Sequence, residues 1–353
     1  MLSIETSAAN EVTMTRTWQG LTSAGGDRRP AVVALGGGHG LAASLRALRR
    51  ITDRITAVVG VADDGGSSGR LRADYGILPP GDLRMALAAL CTDDAWGRTW
   101  DRVLQHRFEA SRTDGSGDIA GHALGNLLIT ALWDVTGDPV TGLDWVATLL
   151  HSQGRVLPCS AVPLDIVAEI VGADSAHPDE VRVVRGQVAV ATAPGLITRL
   201  SLEPVDPPAC PQAVQAVAEA DAIVMGPGSW YTSVLPHLLI PELATALSTA
   251  PAQRIMVLNL AQRSDPETAG TTLDQHLGFL TKLVPTMRFD VVIADPSHVA
   301  AQREAEVLQA ACQELGATLI VEPVSYASGA NPGYHDPGRL AIALEIALAV
   351  PRR

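Results

Sequence analysis

Short continuous apolar runs alternate along the chain with stretches whose apolar residues recur every three or four positions. This is the rhythm of strands buried on both faces and joined by amphipathic helices. Ala31 to Leu35 (AVVAL) is one such run, and Leu41, Leu45 and Leu48 follow at helical spacing. Ile55 to Val61 predicts a second strand. A helix is expected over Met85 to Leu90, with Asp82 in the N-cap position before it. Another is expected over 96–110, with Trp96, Trp100, Val103 and Leu104 on its buried face. Gly121 to Leu127 leads into an apolar helix running to Trp133. From Gly154 to Pro204 the rhythm changes to short β segments, RVLPCS, LDIVAEIVG, RGQVAVA and LITRLSLEP, broken by Gly and Pro. Strands in succession predict a small antiparallel insertion. Alternation then resumes, with strands at Ala222–Met225, Arg254–Leu260, Phe289–Ala294 and Thr318–Glu322. Helices are expected over 271–283, 300–314 and 338–349, the last capped by Asp336. The predicted fold is α/β: a Rossmann-like, mostly parallel sheet with helices on both faces and a small β-rich insertion. It is expected as one domain over residues 30–350, with the insertion at about 154–204 and a flexible arm at 1–29.

Composition narrows the classes. The 353 residues, 47% hydrophobic and 18% charged, allow a sizeable core and exclude a disordered chain. A net charge of −12 argues against nucleic-acid binding, which needs a phosphate-tracking excess of Lys and Arg. No apolar run is long enough for a membrane span and no signal peptide is apparent, so a cytoplasmic protein is expected. Cys91, Cys159, Cys210 and Cys312 are widely spaced without a metal or redox motif, and are expected as buried thiols. Lys282 is the single lysine, which looks like coding bias, so arginine numbers alone carry no phosphate argument.

The chemistry concentrates in loops at strand carboxyl ends, where open α/β sheets bind ligands. Gly36, Gly37, Gly38, His39 and Gly40 join the first strand to a helix, aiming free N–H groups at an anion. They lack the Gly-Lys-Ser/Thr of a Walker loop; Gly38, Gly40 and Ala43 with Asp63 fit a dinucleotide fingerprint, a weak match taken alone. After the second strand come Asp63, Asp64, Gly65, Gly66, Ser67, Ser68, Gly69, Arg70 and Arg72, where glycine amides, hydroxyls and guanidinium forks suit phosphate and the paired carboxylates suit a hard cation or ribose. Gly65, Ser67 and Gly69 also spell G-x-S-x-G, but the serine stands too far from the strand for a nucleophile elbow. Asp82 and Arg84 could fold back over the ligand. His122 and Asn126, four apart, are placed on one helix face. A third loop, Gly226, Pro227, Gly228, Ser229, Trp230, Tyr231, Thr232 and Ser233, repeats the glycine and hydroxyl pattern, and Asn259 ends the next strand. Three such loops point to one shared ligand carrying phosphate.

The series GGGHGL, ADDGGSSGRLR, LPPGDLR, GHALGNL, GPGSWYTS, NL with Glu267-Thr268, and HDP at His335 resembles the YvcK-like gluconeogenesis factor family and, more distantly, the 2-phospho-L-lactate transferase (CofD-like) family. The resemblance spans about residues 31–349. It implies a Rossmann-like core that binds a UDP-sugar, such as UDP-N-acetylglucosamine or UDP-glucose, and supports growth and cell shape on gluconeogenic carbon, at the link to cell-wall precursors. In the transferase branch it implies that the aspartates, here Asp63 and Asp64, hold Mg²⁺ while a phospholactyl group leaves a guanosine diphosphate. The chain departs from the pattern at His39, where threonine is common, at Met85, where asparagine is common, and at Tyr334, where arginine stands. Three readings stay open: a UDP-sugar-binding regulator with no catalytic residue, an Mg²⁺-dependent transferase, and a dinucleotide-dependent oxidoreductase. A homodimer through the apolar helices around 119–150, and Ser/Thr kinase regulation through the N-terminal arm, are further expectations.

Overall fold

The computed structural model describes residues 28–109, 119–174, 176–260, 271–299, 301–326 and 333–352. Strand β1 (Val32–Gly36) is buried along its whole length, as a continuous apolar run requires. It leads through Gly37 into α1 (Gly38–Leu48), which buries Leu41, Leu45 and Leu48. There follow β2 (Ile55–Val59), α2 (Gly66–Tyr75), α3 (Pro80–Ala89), α4 (Ala95–Gln105), α5 (Leu124–Thr136), α6 (Pro139–Leu150) and β3 (Arg155–Pro158). Next are β4 (Asp165–Val171), β5 (Val181–Arg185), α7 (Gln187–Thr192) and β6 (Leu196–Glu203). The chain then runs through α8 (Pro211–Ala218), β7 (Ala222–Met225), α9 (Pro241–Thr249), β8 (Gln253–Val257), α10 (Leu273–Leu283), β9 (Val291–Ala294), α11 (Gln302–Glu314), β10 (Thr318–Val321) and α12 (Pro337–Leu348).

Seven strands form one sheet in the order β10-β9-β8-β7-β1-β2-β3, and every pairing in it is parallel. The chain steps from β1 to β2 in one direction and from β7 to β10 in the other. Right-handed crossovers therefore put the connecting helices on opposite faces. Helix α12 returns to pack against α1. Strands β5-β4-β6 form a separate antiparallel sheet inside the expected insertion. Among the described residues, no helix is long and apolar enough to cross a membrane. The four cysteines are buried free thiols.

Four local expectations are corrected. RVLPCS is not part of the antiparallel insertion, because Arg155–Pro158 pairs with β2 as the edge of the main sheet. Within RGQVAVA only Arg185 belongs to a strand; Gly186, at φ +92, turns the chain and Gln187–Thr192 is helix. Trp96 is 45% exposed, so the buried face of α4 keeps Leu104, with Trp100 partly buried against the core, and adds Gly97. Pro79 is the N-cap of α3, and Asp82 lies one turn inside it, making no cap hydrogen bond.

Candidate functional site

Strand β1 is the point at which strand order reverses, so the loops after β1 and β7 part at neighbouring carboxyl ends and open a crevice. A cleft of about 1000 Å³ lies there. His39, Gly40 and Arg46 line it from the first loop and α1, and Pro227, Gly228 and Ser229 from the loop after β7. Glycine is required where the loops meet: a Cβ on Gly40 would stand 2.2 Å from the Pro227 carbonyl oxygen. Gly38, at φ +57, takes the left-handed conformation that starts α1. Asn259 Oδ1 accepts the Gly228 N–H at 2.7 Å and holds the second loop. His335 Nε2 stands 3.2 Å from the Leu258 carbonyl, and burial brings its pKa down to about 4. His39 is also held below the usual imidazole range, by burial and then by the charges of Arg46 and Arg84. It makes an edge-on ring contact with Tyr334, 5.7 Å between centroids, so two of the positions that depart from the family pattern touch across the cleft.

A second group of the expected residues gathers behind the first loop as a buried polar cluster. Asn126 Nδ2 donates to Ser67 Oγ at 2.9 Å, and Ser67 Oγ lies 2.9 Å from His122 Nδ1. Ser68 Oγ accepts the Gly81 N–H at 2.7 Å. Asp82 links cluster and loop: its Oδ2 would stand 2.4 Å from a Cβ on Gly37, and the Gly38 N–H bonds its carboxylate. Burial, then the Asp63 charge, push Asp82 up to about 7 against the opposing pull of that amide and of Arg84. Burial brings Arg84 down to about 10; its Nη1 donates to Gln105 Oε1 at 2.7 Å. Its Nε and Asn126 Oδ1 are buried without a partner among the described residues, leaving two polar groups for a ligand or water to meet.

Several expected site residues take other positions. Asp63 and Asp64 diverge: Asp63 Oδ1 accepts the Gly65 N–H at 3.0 Å, while Asp64 Oδ1 accepts the Val188 N–H at 2.9 Å and so holds the start of α7. The carboxylate that neighbours Asp63 is Asp82. Arg70 donates to the Ala120 carbonyl at 2.8 Å, and Arg72 to the Leu164 carbonyl at 2.9 Å while pairing with Asp165 at 2.9 Å. Gly69 admits the carbonyl of Asp64, 2.0 Å from where a Cβ would stand, whereas Gly66 has open space around it. His122 precedes α5, whose N-cap is Ala123, so it meets Asn126 through Ser67 and not along one helix face. Tyr231 and Thr232 are buried, and Tyr231 packs edge-on against Phe279. Ser233 Oγ lies 3.6 Å from the Cβ position of Gly37, beside the first loop. Gln262, Arg263, Glu267 and Thr268 lie outside the described residues.

The structure adds Arg46, His298, Arg303 and Tyr326 to the cleft. His298 follows Asp295 at the carboxyl end of β9, a position that the strand-end rule alone would have marked. Arg46 and Arg303 sit on helices and carry no local signal. Among the described residues no three His, Cys, Asp or Glu side chains stand close enough to hold a metal by themselves. Asp63 with Asp82 still fits Mg²⁺, which takes one or two carboxylates and fills its shell with water and phosphate.

Residues 32–323 match the 2-phospho-L-lactate transferase CofD family. The chain is 50% identical over 318 residues to "Putative gluconeogenesis factor" of Mycobacterium leprae, covering 90% of this chain and 85% of that one. It is 38% identical over 250 residues to a gluconeogenesis factor of Halalkalibacterium halodurans, 71% of this chain and 72% of that one. The crystal structure of a UPF0052 family member from Bacillus halodurans superimposes with a TM-score of 0.75 at 31% identity, covering 90% of this chain and 99% of that one. With its parallel sheet, its switch-point cleft and these likenesses together, the chain belongs to the CofD family and is similar to its gluconeogenesis factors.

Proposed function

We propose that the protein is a cytoplasmic nucleotide-sugar-binding regulator. Its ligand class is UDP-N-acetylglucosamine or UDP-glucose, and it supports growth and cell shape where gluconeogenic carbon meets cell-wall precursor supply. The observation that carries this reading is the cleft at the switch point, lined by the amino end of α1 and by the glycine loop after β7. The one serine–histidine contact of the expected site, Ser67 with His122, is buried behind the loop, and Asn126 donates into the Ser67 oxygen that would attack. Sequence and likeness to the named gluconeogenesis factors support the same reading. Exposed Val135 and Trp145 on α5 and α6 would serve a homodimer, and serines and threonines of the N-terminal arm a kinase.

One observation favours a second reading, an Mg²⁺-dependent transferase. Asp63 and Asp82 form a carboxylate pair beside the phosphate loop, and a cation bound there would neutralise charge on a departing nucleoside diphosphate. The test is calorimetric titration with UDP-N-acetylglucosamine. Gly38→Val should weaken binding by about tenfold or more, since it places a branched side chain at a left-handed position in the loop. Unchanged affinity in a folded Gly38→Val would refute this placement of the phosphate. Mg²⁺-dependent consumption of UDP- or GDP-linked substrates, abolished by Asp63→Asn, would decide for the transferase.

A further inference from the structure

A second cavity, of about 330 Å³, lies beside the cleft against the carboxyl half of α1, bounded also by the end of α3, the start of α4 and the start of α12. Its size is at the lower end of small-molecule sites. Arg46, Arg49 and Arg50 border it from α1, and Arg98 from α4. The charges there are unequally engaged. Arg49 pairs with Asp93 at 3.2 Å and donates to Gln153 and to the Ala89 carbonyl. Asp336 caps α12, accepting from the N–H groups of Gly338 at 2.7 Å and Arg339 at 3.2 Å.

The side chains of Arg46 and Arg50 make no hydrogen bond or ion pair among the described residues, and that of Arg98 reaches one partner, the Asp93 carbonyl. Against these three guanidinium groups stands one uncommitted carboxylate, Asp101, whose Oδ1 is buried without a partner. Arg50 Nη1 lies 3.3 Å from the Cβ position of Gly338 at the amino end of α12, where the capping Asp336 Oδ1 stands 3.2 Å from the same position. The hollow carries four arginines against three aspartates, an excess of one positive charge in a chain of net charge −12.

We propose that this cavity is a second ligand site, separate from the nucleotide-sugar cleft, for a small hydroxylated phosphate ester. Arg46, Arg50 and Arg98 would take the phosphoryl oxygens as charge-assisted donors, and Asp101 would accept a ligand hydroxyl. A hydroxylated polycarboxylate offers the same shared chemistry, and the test separates the two. Arg46 borders both cavities and is left unchanged; Arg50 and Arg98 border the second cavity, and Arg303 borders the cleft.

The experiment is calorimetric titration of the full chain with glucose 6-phosphate and with citrate. It compares the wild type with Arg50→Glu, Arg98→Glu and Arg303→Glu, each checked by its melting temperature. The expected result is saturable binding of glucose 6-phosphate, weaker binding of citrate, and a loss of about tenfold or more in Arg50→Glu and Arg98→Glu with none in Arg303→Glu. Both arginines are exposed, so charge reversal leaves the fold intact; should either variant unfold, Arg50→Gln and Arg98→Gln carry the test, with a loss of about threefold or more. Tighter binding of citrate overturns the phosphate assignment. Absence of binding by either probe at millimolar concentration, equal binding in all variants, or loss confined to Arg303→Glu overturns the site.

Discussion

At the scale of single residues, Asp82 is the position where burial decides chemistry. Free in an unfolded chain it gives up its proton near pH 4; in the folded chain burial and the Asp63 charge delay this to about 7. Between those values the folded state holds a proton that the unfolded state has lost, so stability falls as pH rises from about 4 to about 7 and stays low above. The loss is on the order of 4 kcal/mol, at about 1.4 kcal/mol for each pH unit between the two values. Asp82→Asn should therefore raise the melting temperature at pH 8 and change it little near pH 4.5; an equal change at both pH values would contradict the assignment. Gly40→Ala makes the opposite point about size. Its one added carbon collides with the Pro227 carbonyl, so it should part the two loops, lower stability by roughly 1–3 kcal/mol and weaken ligand binding. Chemical denaturation and titration of the same sample would show whether both fall together. Asp82 and Asp64 also mark the limit of sequence reading. Their types announced a site, but which carboxylate faces Asp63 depends on a loop folding back from α3 and on a helix that arrives 124 residues after Asp64.

At the scale of elements, the inner strands of the main sheet were legible because burial on both faces demands unbroken apolar runs, and β7 begins and ends where its AIVM run does, whereas the edge strand β3 was read into the insertion. The short helix α7 was not. Its V-x-V alternation reads as a strand, and what makes it a helix is the turn at Gly186 and the distant Asp64 carboxylate on the Val188 N–H. Asp64→Ala should accordingly cost about 1 kcal/mol, as the loss of a cap does, while leaving nucleotide-sugar affinity unchanged. A drop in affinity equal to that of Gly38→Val would instead place Asp64 on the ligand. Asp295 plays a comparable part between β9 and β10, accepting the N–H groups of Ser297, Val324 and Ser325 at 3.0–3.1 Å. Burial raises its pKa, but these bonds win and hold it at about 2. Its stabilisation is thus present above about pH 4 and is lost as pH falls towards 2. Asp295→Ala, which leaves those amides unpaired, should cost roughly 2–3 kcal/mol at neutral pH by denaturant titration. A cost under the uncertainty of that titration would show the three bonds to be dispensable.

At the scale of the whole molecule, one topological fact places the cleft: strand order reverses at β1, between β7 and β2. The glycine loops that were conspicuous in the sequence flank that reversal, which is why the near wall of the cleft could be anticipated. The far wall could not be. Arg46, His298, Arg303 and Tyr326 come together only after α11 and the segment beyond β10 have packed. The same topology leaves Ser67, Arg84, His122 and Asn126 as a buried cluster behind the loop, with Asp63 and Asp82 half-buried beside it. The most direct measurement is thermal stabilisation by UDP-N-acetylglucosamine, UDP-glucose, GDP and NAD, each with and without Mg²⁺, in the wild type and Gly40→Ala. At a hundredfold its dissociation constant, a ligand specific to the native state adds about 2.7 kcal/mol. The expected result is stabilisation of the wild type by the two UDP-sugars regardless of Mg²⁺, much reduced in Gly40→Ala. Stabilisation by NAD or by GDP with Mg²⁺ alone, or by none of the four, would contradict it.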